Sequence, residues 1–196
     1  MKLYIKNIGI VIPTFNEENN IERLVKKIKS KFKDSLIIIV DDSHHKKTWH
    51  LIRKKKLRVN YIHRGKKLGR GSAVIFGLKK LIKNKKIKVF IEMDADFSHN
   101  PRDLIRIYNA CVSENASVAI GSRYVNGVNV VNWPMNRVLL SYFAPKYVSI
   151  ITRLPVHDAT AGFVGYRANV LKSLDLDKIQ FKGYGFQIEM KYKTWI

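Results

Sequence analysis

The chain has 196 residues, 46% of them hydrophobic, enough to build the core of one domain of ordinary to large size. Lys and Arg number 37 against 15 Asp and Glu, a formal net charge of +22 that attracts polyanions; yet lysine is spread through nearly every segment, so most of this charge reads as solvated faces, and no specific nucleic-acid partner is expected. The single cysteine, Cys111, rules out a disulfide framework within the chain and fits a reducing compartment. The opening Met1 to Asn7 lacks the pattern of a signal peptide, and no apolar run approaches the roughly 18–20 residues of a spanning helix.

Strand and helix signals alternate from the start. Ile8 to Ile12 is a short apolar run, stopped by Pro13. Glu17 to Phe32 carries Ile21, Leu24, Val25, Ile28 and Phe32 at helical spacing, with Asn16 as its expected N-cap. Leu36 to Val40 reads as a buried strand that ends in Asp41-Asp42, and Val59 to Ile62 as a third, shorter one. Ser72 to Ile82 reads as a helix entered through Gly69 and Gly71, and Ile87 to Met93 as a fourth strand. Pro101 to Glu114 reads as a helix with proline near its first turn; Cys111 lies inside it as a small buried hydrophobe. Ser117 to Ile120 is a fifth strand. Past Arg123 the pattern changes. Trp133 to Thr152 is aromatic and apolar with scattered basic residues, Ala161 to Tyr166 suits a strand, and Tyr184 to Trp195 a helix. The alternation predicts an α/β domain over 1–196, with a Rossmann-like, mostly parallel sheet covered by helices on both faces. Ligands of such sheets bind beyond the carboxyl ends of the strands.

The segment Ile91-Glu92-Met93-Asp94-Ala95-Asp96-Phe97-Ser98-His99 falls at such an end. Alternate residues of an extended chain share a face, so Asp94 and Asp96 are expected side by side. Two close carboxylates repel unless a cation or proton lies between them, which suits Mg²⁺ or Mn²⁺ with a substrate phosphate completing the shell. A solvated loop is the bland alternative. After the first strand, Phe15 offers a flat face for a base and Glu17 an acceptor for ribose or base donors. Asp41-Asp42 after the second offers further acceptors. Lys66 to Gly71 makes a basic approach to a helix N-terminus. Arg123, in Gly121-Ser122-Arg123-Tyr124, offers a planar fork to a phosphate. Arg137 and Ser141, four apart, would share a helix face as a second phosphate contact.

In order, these segments resemble the family 2 glycosyltransferases of the GT-A fold, and among them the dolichyl-phosphate (polyprenyl-phosphate) mannosyltransferases. The resemblance runs from about Ile8 to the end. It is carried by Ile12-Pro13-Thr14-Phe15-Asn16-Glu17, Val40-Asp41-Asp42, Leu68-Gly69-Arg70-Gly71-Ser72-Ala73, Met93 to His99, Gly121 to Tyr124, Trp133-Pro134 with Arg137, Asp158 to Phe163, and Gly185-Phe186-Gln187-Ile188-Glu189-Met190.

The resemblance implies mannose transfer from GDP-mannose to a dolichyl or polyprenyl phosphate, with inversion and metal assistance. Pro13, Phe15, Glu17, Val40 and Asp42 would line the nucleotide pocket, continued by Asp94 and Ala95. Asp96 and Ser98 would hold Mg²⁺ or Mn²⁺ on the diphosphate. Arg123, Arg137 and Ser141 would hold the lipid phosphate, with Asp96 and Arg123 carrying the catalysis. The expected setting is the cytoplasmic side of a membrane surface (endoplasmic reticulum or bacterial inner membrane), with a small membrane subunit as a further partner.

Two segments depart from the family pattern. Where relatives continue with Gly-Ser-x-Asp-Gly-Thr, this chain reads Ser43-His44-His45-Lys46-Lys47-Thr48; adjacent histidines rarely both reach one ion, so His44 and His45 are read as no metal site. Relatives also continue to a basic Arg…Gly-x-Ser-Lys loop, whereas this sequence ends at Thr194-Trp195-Ile196, the expectation being a domain shortened at its C-terminus. The competing readings are a related transferase using a UDP-sugar and undecaprenyl phosphate, and a degenerate non-catalytic relative that binds anionic surfaces.

Overall fold

The computed structural model describes residues 7–123, 143, 147–181 and 183–196. Its centre is a six-stranded sheet in the order β3-β2-β1-β4-β6-β5. The strands are β1 Ile8–Thr14, β2 Leu36–Asp41, β3 Asn60–His63, β4 Val89–Glu92, β5 Val118–Ile120 and β6 Val164–Arg167. β1, β2, β3 and β4 pair in parallel. β6 runs antiparallel to both β4 and β5, so β5 points the same way as β4.

Helices among the described residues include α1 Glu18–Lys31, α2 Lys47–Lys54, α3 Arg70–Leu81, α4 Leu104–Val112, α5 Ala168–Ser173 and α6 Tyr184–Trp195, and residues 147–152 are helical as well. The pleat of β1 divides the core between two layers. Ile8, Ile10 and Ile12 face one side, where α1 contributes Ile21, Leu24 and Ile28, α2 Ile52, and α4 Leu104, Ile107 and Cys111. Val11 faces the other, against Ala73, Val74 and Leu78 of α3, Leu171 of α5, and Phe186 and Met190 of α6. Both faces of the sheet are therefore covered, which is why its strands read as unbroken apolar runs. Gly77 of α3 lies against β1 so closely that a Cβ there would meet Val11 Cγ1 at 2.5 Å.

Several boundaries differ from the sequence reading. Pro13 does not stop β1 but lies inside it, paired with Val40. The Val11 carbonyl accepts from Met93 and the Thr14 carbonyl from Asp42, so the odd-numbered backbone groups of β1 point toward β4. The β1–β4 register ends at Val11 and Glu92, and the missing N–H of Pro13 costs no ladder bond. Asn16 is not the cap of α1. It has φ 59°, its N–H is bound by Ser43 Oγ at 2.8 Å, and Glu17 occupies the cap position. Pro101 opens a 3₁₀ turn, Pro101–Asp103, ahead of α4. α2 and α5 carried no sequence prediction. Cys111 is buried, as expected, and burial raises its thiol pKa to about 11.

Candidate active site

The chain leaves β1 toward β2 on one side and returns through α3 to β4 on the other. That reversal opens a crevice beyond the carboxyl ends of β1 and β4, the usual ligand site of such sheets. The residues after β1, β2, β4 and β5 meet there, together with the antiparallel approach to β6.

At the end of β2 both carboxylates are bound by the protein. Asp41 is fully buried; it accepts from the Ser43 N–H at 3.0 Å, the Ser43 hydroxyl at 2.5 Å and the Tyr61 hydroxyl at 2.6 Å. Burial, then the bond to Asp41, pushes the Tyr61 pKa well up. Asp42 takes the fork of Arg64, Nε to Oδ1 at 2.5 Å and Nη2 to Oδ2 at 2.8 Å, in a nearly buried pair. Its Oδ2 also accepts the N–H groups of Leu68 at 2.8 Å and Gly69 at 3.1 Å. Asp42 thus ties the Gly69 turn, with its φ of 94°, to the rim of the sheet. Beside it Phe15 is half-buried with the Lys67 ammonium 4.8 Å from its ring centre. Glu17 accepts from Asn20 Nδ2 at 2.8 Å.

At the end of β4 the expected side-by-side carboxylates part company. The strand stops at Glu92, so the alternation of an extended chain does not reach Asp96. Asp94 turns inward to Arg70, Nε to Oδ1 at 2.7 Å. The same guanidinium donates to the fully buried Glu92 at 2.9 Å and to the Gly162 carbonyl at 2.8 Å. Glu92 also accepts from Tyr166 and Gln187, each at 2.9 Å. Asp96 stays exposed. Its Oδ1 accepts the Ser98 N–H at 3.0 Å. Partial burial works against its charge, but the Ser98 hydroxyl and N–H and the nearby His99 outweigh it and hold the carboxyl below its ordinary range.

Phe97, between Asp96 and Ser98, has φ 65°, a left-handed conformation that is strained for a bulky residue and concentrates at functional turns. Arg23 and Lys27 of α1 lie over its ring at 4.6 and 5.2 Å and hold it in place. His99 closes the turn from below. Its Nδ1 accepts the Asp94 N–H at 2.9 Å, which places the proton of the neutral ring on Nε2. Its ring stacks on Phe163 at 5.1 Å, and burial pushes its pKa down.

Next to this turn lies a cleft of about 670 Å³ whose walls include Ser98, His99, Asn100, Gly121, Ser122 and Arg123. Arg123 points its fork at the buried Asp158, Nε to Oδ2 at 2.9 Å and Nη2 to Oδ1 at 2.7 Å, and Nη2 also reaches Thr160 Oγ1 at 2.6 Å. Burial opposes ionisation of Asp158, but Arg123 prevails and lowers its pKa.

The structure thus brings Asp42, Asp94, Asp96, Ser98 and Arg123 to one rim, with Pro13 near the end of the β1 ladder and Phe15 just past it. The side chains of Val40 and Ala95 pack into the two core layers. Arg137 and Ser141, with Tyr124 and Trp133-Pro134, lie outside the described residues. His44 and His45 diverge, one edge-on to Phe15 and the other toward Glu18. Among the described residues no three His, Cys, Asp or Glu side chains cluster as a metal cage. Of the rim carboxylates, Asp41, Asp42, Glu92 and Asp158 are buried and Asp94 is held by Arg70, whereas Asp96 is exposed and is bound within its own turn by Ser98. Asp96, exposed beside a hydroxyl, offers oxygen donors and negative charge. That donor set suits a hard divalent cation that takes few ligands from protein and the rest from phosphate and water.

Sequence reasoning did not single out Arg64, Arg70, Glu92, Asp158 or Lys191 for a role. Glu92 carried a readable signal, a carboxylate inside an apolar strand. Lys191 carried another, standing four residues after Gln187 and one after Met190 on the stripe that α6 buries.

The chain matches the family model described as Glycosyl transferase family 2 over residues 9–175. It is 38% identical over 189 residues to the polyprenol monophosphomannose synthase of Mycolicibacterium smegmatis, covering 94% of this chain and 71% of that protein. It is 37% identical over 187 residues to the undecaprenyl-phosphate mannosyltransferase of Micrococcus luteus, covering 94% and 76%. The dolichol-phosphate mannosyltransferase of Pyrococcus furiosus is 34% identical over 181 residues, but the match spans only 50% of its length. Among solved structures, glucosyl-3-phosphoglycerate synthase from Mycobacterium tuberculosis, in complex with Mn²⁺, UDP-glucose and phosphoglyceric acid, superposes with a TM-score of 0.62 at 20% identity, over 94% of this chain and 64% of that one. The topology, the acidic rim and these matches agree: the chain belongs to glycosyl transferase family 2 and has the GT-A fold.

Proposed function

We propose that the chain moves mannose from GDP-mannose to a polyprenyl phosphate with inversion at the anomeric carbon. The observation that carries this reading is the Asp96–Ser98 turn. It is strained, ionised and open, at the switch point of the sheet, on a rim whose neighbouring carboxylates are already bound. The similarity to three mannosyltransferases supports the choice of sugar and acceptor.

Asp96 and Ser98 would hold a divalent cation, Mg²⁺ or Mn²⁺. When bound, it supplies positive charge to the diphosphate as the sugar departs. The chain's own residues do the rest. Phe15 and the turn anchored by Asp42 form the wall for the base. Arg70 holds Asp94 and Glu92 in place beside the donor. Arg123, aligned by Asp158, presents positive potential to the cleft where the acceptor phosphate enters. A phosphate monoester is largely ionised at neutral pH, so the acceptor needs no general base. The work of the site is to bring two anions together.

The acceptor is a lipid. Residues 147–152 are helical, and Tyr147, Ile150 and Ile151 are exposed there at 68%, 78% and 62%. No helix among the described residues is long and apolar enough to cross a membrane. We therefore place this helix on the surface of a membrane, its apolar side in the headgroup region and the basic chain drawn by anionic lipid.

The test is transfer of radiolabelled mannose from GDP-mannose to a short polyprenyl phosphate, with Mg²⁺, with Mn²⁺ and with EDTA, alongside Asp96→Ala. Metal-dependent product that disappears in the variant upholds the reading. A folded protein that gives no product, or a preference for UDP-sugars, overturns it.

A further inference from the structure

Lys191 is 2% exposed, one of the largest fully buried side chains. An ammonium taken out of water costs several kcal/mol unless its charge and its donors are met. Here its hydrogen-bond partners are neutral. Nζ donates to the carbonyls of Ala159 at 2.9 Å and Ala161 at 2.8 Å, and to Gln187 Oε1 at 3.3 Å. A methionine would fill the same space without that cost, so the position of the charge calls for a reason.

The two carbonyls belong to the segment 158–162. Its first residue, Asp158, receives the fork of Arg123 and also its backbone N–H at 3.1 Å. Its last, Gly162, receives Nη2 of Arg70 through its carbonyl. The segment runs so close to that guanidinium that a Cβ on Gly162 would meet Arg70 Nη2 at 2.7 Å. Arg70 and Arg123 thus each have a partner on one short segment, and Lys191 grips it between those partners. Gln187 extends the same grip, since its Nε2 donates to Glu92, which also holds Arg70.

We propose that Lys191 is a positioning residue of this site: its ammonium pins segment 158–162, and through Asp158 and Gly162 it sets the directions of Arg123 and Arg70. The charge has a physical part in this. Its donors converge on two backbone carbonyls of this segment and on the Gln187 side chain, bonds that methionine cannot make. The carboxylates of Glu92 and Asp158 face the ammonium and the guanidinium groups of Arg70 and Arg123 oppose it. Burial, with the two guanidinium groups acting in the same direction, outweighs the two carboxylates and lowers its pKa to about 8. The geometric claim stands on the contacts; its consequence for catalysis rests on the transferase reading.

The experiment is amide hydrogen exchange on the full chain, wild type against Lys191→Met, with Lys191→Gln as a milder variant should methionine prevent folding. The Ala161 N–H is bound by the Asp158 carbonyl at 3.3 Å and the Arg123 N–H by the Asp158 carboxylate. Both are expected to exchange at least about tenfold faster in the variant, while amides of β1 and β4 keep their rates. In the transfer assay KM for the acceptor phosphate is expected to rise about fivefold or more with kcat little changed. A lysine that serves packing alone would lower Tm and leave the Arg123 amide and the acceptor KM where they were; that result overturns the proposal. If the wild type transfers no sugar, the transferase reading fails, and exchange at Ala161 and Arg123 still decides the role of Lys191.

Discussion

Asp41 and Asp42 after β2, and Asp94 and Asp96 after β4, are two acidic pairs on the same rim, and the protein treats them differently. The first pair is buried under Ser43, Tyr61, Arg64 and the N–H groups of Leu68 and Gly69. The second is divided, Asp94 held by Arg70 and Asp96 left facing solvent. Carboxylates of the first kind build a wall. One of the second kind keeps its charge for something that arrives. The pairing around each carboxylate, more than its presence, separates scaffold from chemistry on this rim.

The sharpest way to break that comparison is to remove a carboxylate from each side. Asp42→Ala leaves the Arg64 guanidinium, 8% exposed, without its carboxylate and with the neutral Ser72 hydroxyl and Gly69 carbonyl in its place, and is expected to destabilise the fold by about 3 kcal/mol in urea melts. Arg64→Ala should cost less, because Asp42 keeps two backbone donors. Asp96→Asn is expected to do the opposite: about a 10²–10³-fold loss of sugar transfer, with a change in unfolding free energy below about 0.5 kcal/mol. Addition of EDTA should reproduce the loss without the substitution. Equal stability of Asp42→Ala and Asp96→Asn would show the two pairs to be alike after all.

A pH series sharpens the comparison from behind the rim. An unfolded lysine titrates near 10.4, whereas folded Lys191 does so at about 8. Between these values the unfolded chain binds more protons, so this group makes stability rise with pH, by about 3 kcal/mol in all. Cys111, raised to about 11 by burial, pulls the other way over part of that window. Half-buried Tyr61 and buried Tyr166, both raised, do so above about 10. The quantity to measure is therefore the difference between wild type and Lys191→Met in urea melts at pH 7, 8.5 and 9.5, which should shift in favour of the wild type as pH rises. Gly162→Ala is the smallest test. The new methyl must push aside Arg70 Nη2, the far end of a flexible side chain, so about 1 kcal/mol of stability is at stake, with a severalfold rise in donor KM. A variant with unchanged kinetics would mean that Arg70 can leave Asp94 without consequence.

Much of this fold is legible in the amino-acid sequence because the sheet is buried on both faces. β1, β2 and β4 stand out as Ile- and Val-rich runs between polar loops, and α1 by its spacing. α2 does not, for its eight residues bury only Thr48 and Ile52 and carry no acidic residue in the first turn. The position of β6 is unreadable in a different way. Four residues at 164–167 suggest a strand, but nothing local states that it enters between β4 and β5 and runs backward. The same division holds in the site. The carboxylates and arginines were visible as residues. Their pairing was not, because Arg70 meets Asp94 and Gly162, and Arg123 meets Asp158, only through the crossovers of the sheet. The parting of Asp94 from Asp96 was missed for a smaller reason, a strand that ends two residues before Asp94.

The entry of β6 between two earlier strands also bears on how the molecule is made. A ribosome delivers β1 to β4 first, each able to pair with a neighbour already synthesised. β5 emerges with no described partner until residues 164–167 follow, and meanwhile the edge of β4 presents unpaired backbone. Glu92 is synthesised long before Tyr166 and Gln187, which later share its burial. Nascent chains stalled between β5 and β6 therefore carry an open sheet edge beside a half-neutralised acid. Unpaired edges of this kind are where partly folded chains associate, so the span between β5 and β6 is the aggregation-exposed stage of synthesis.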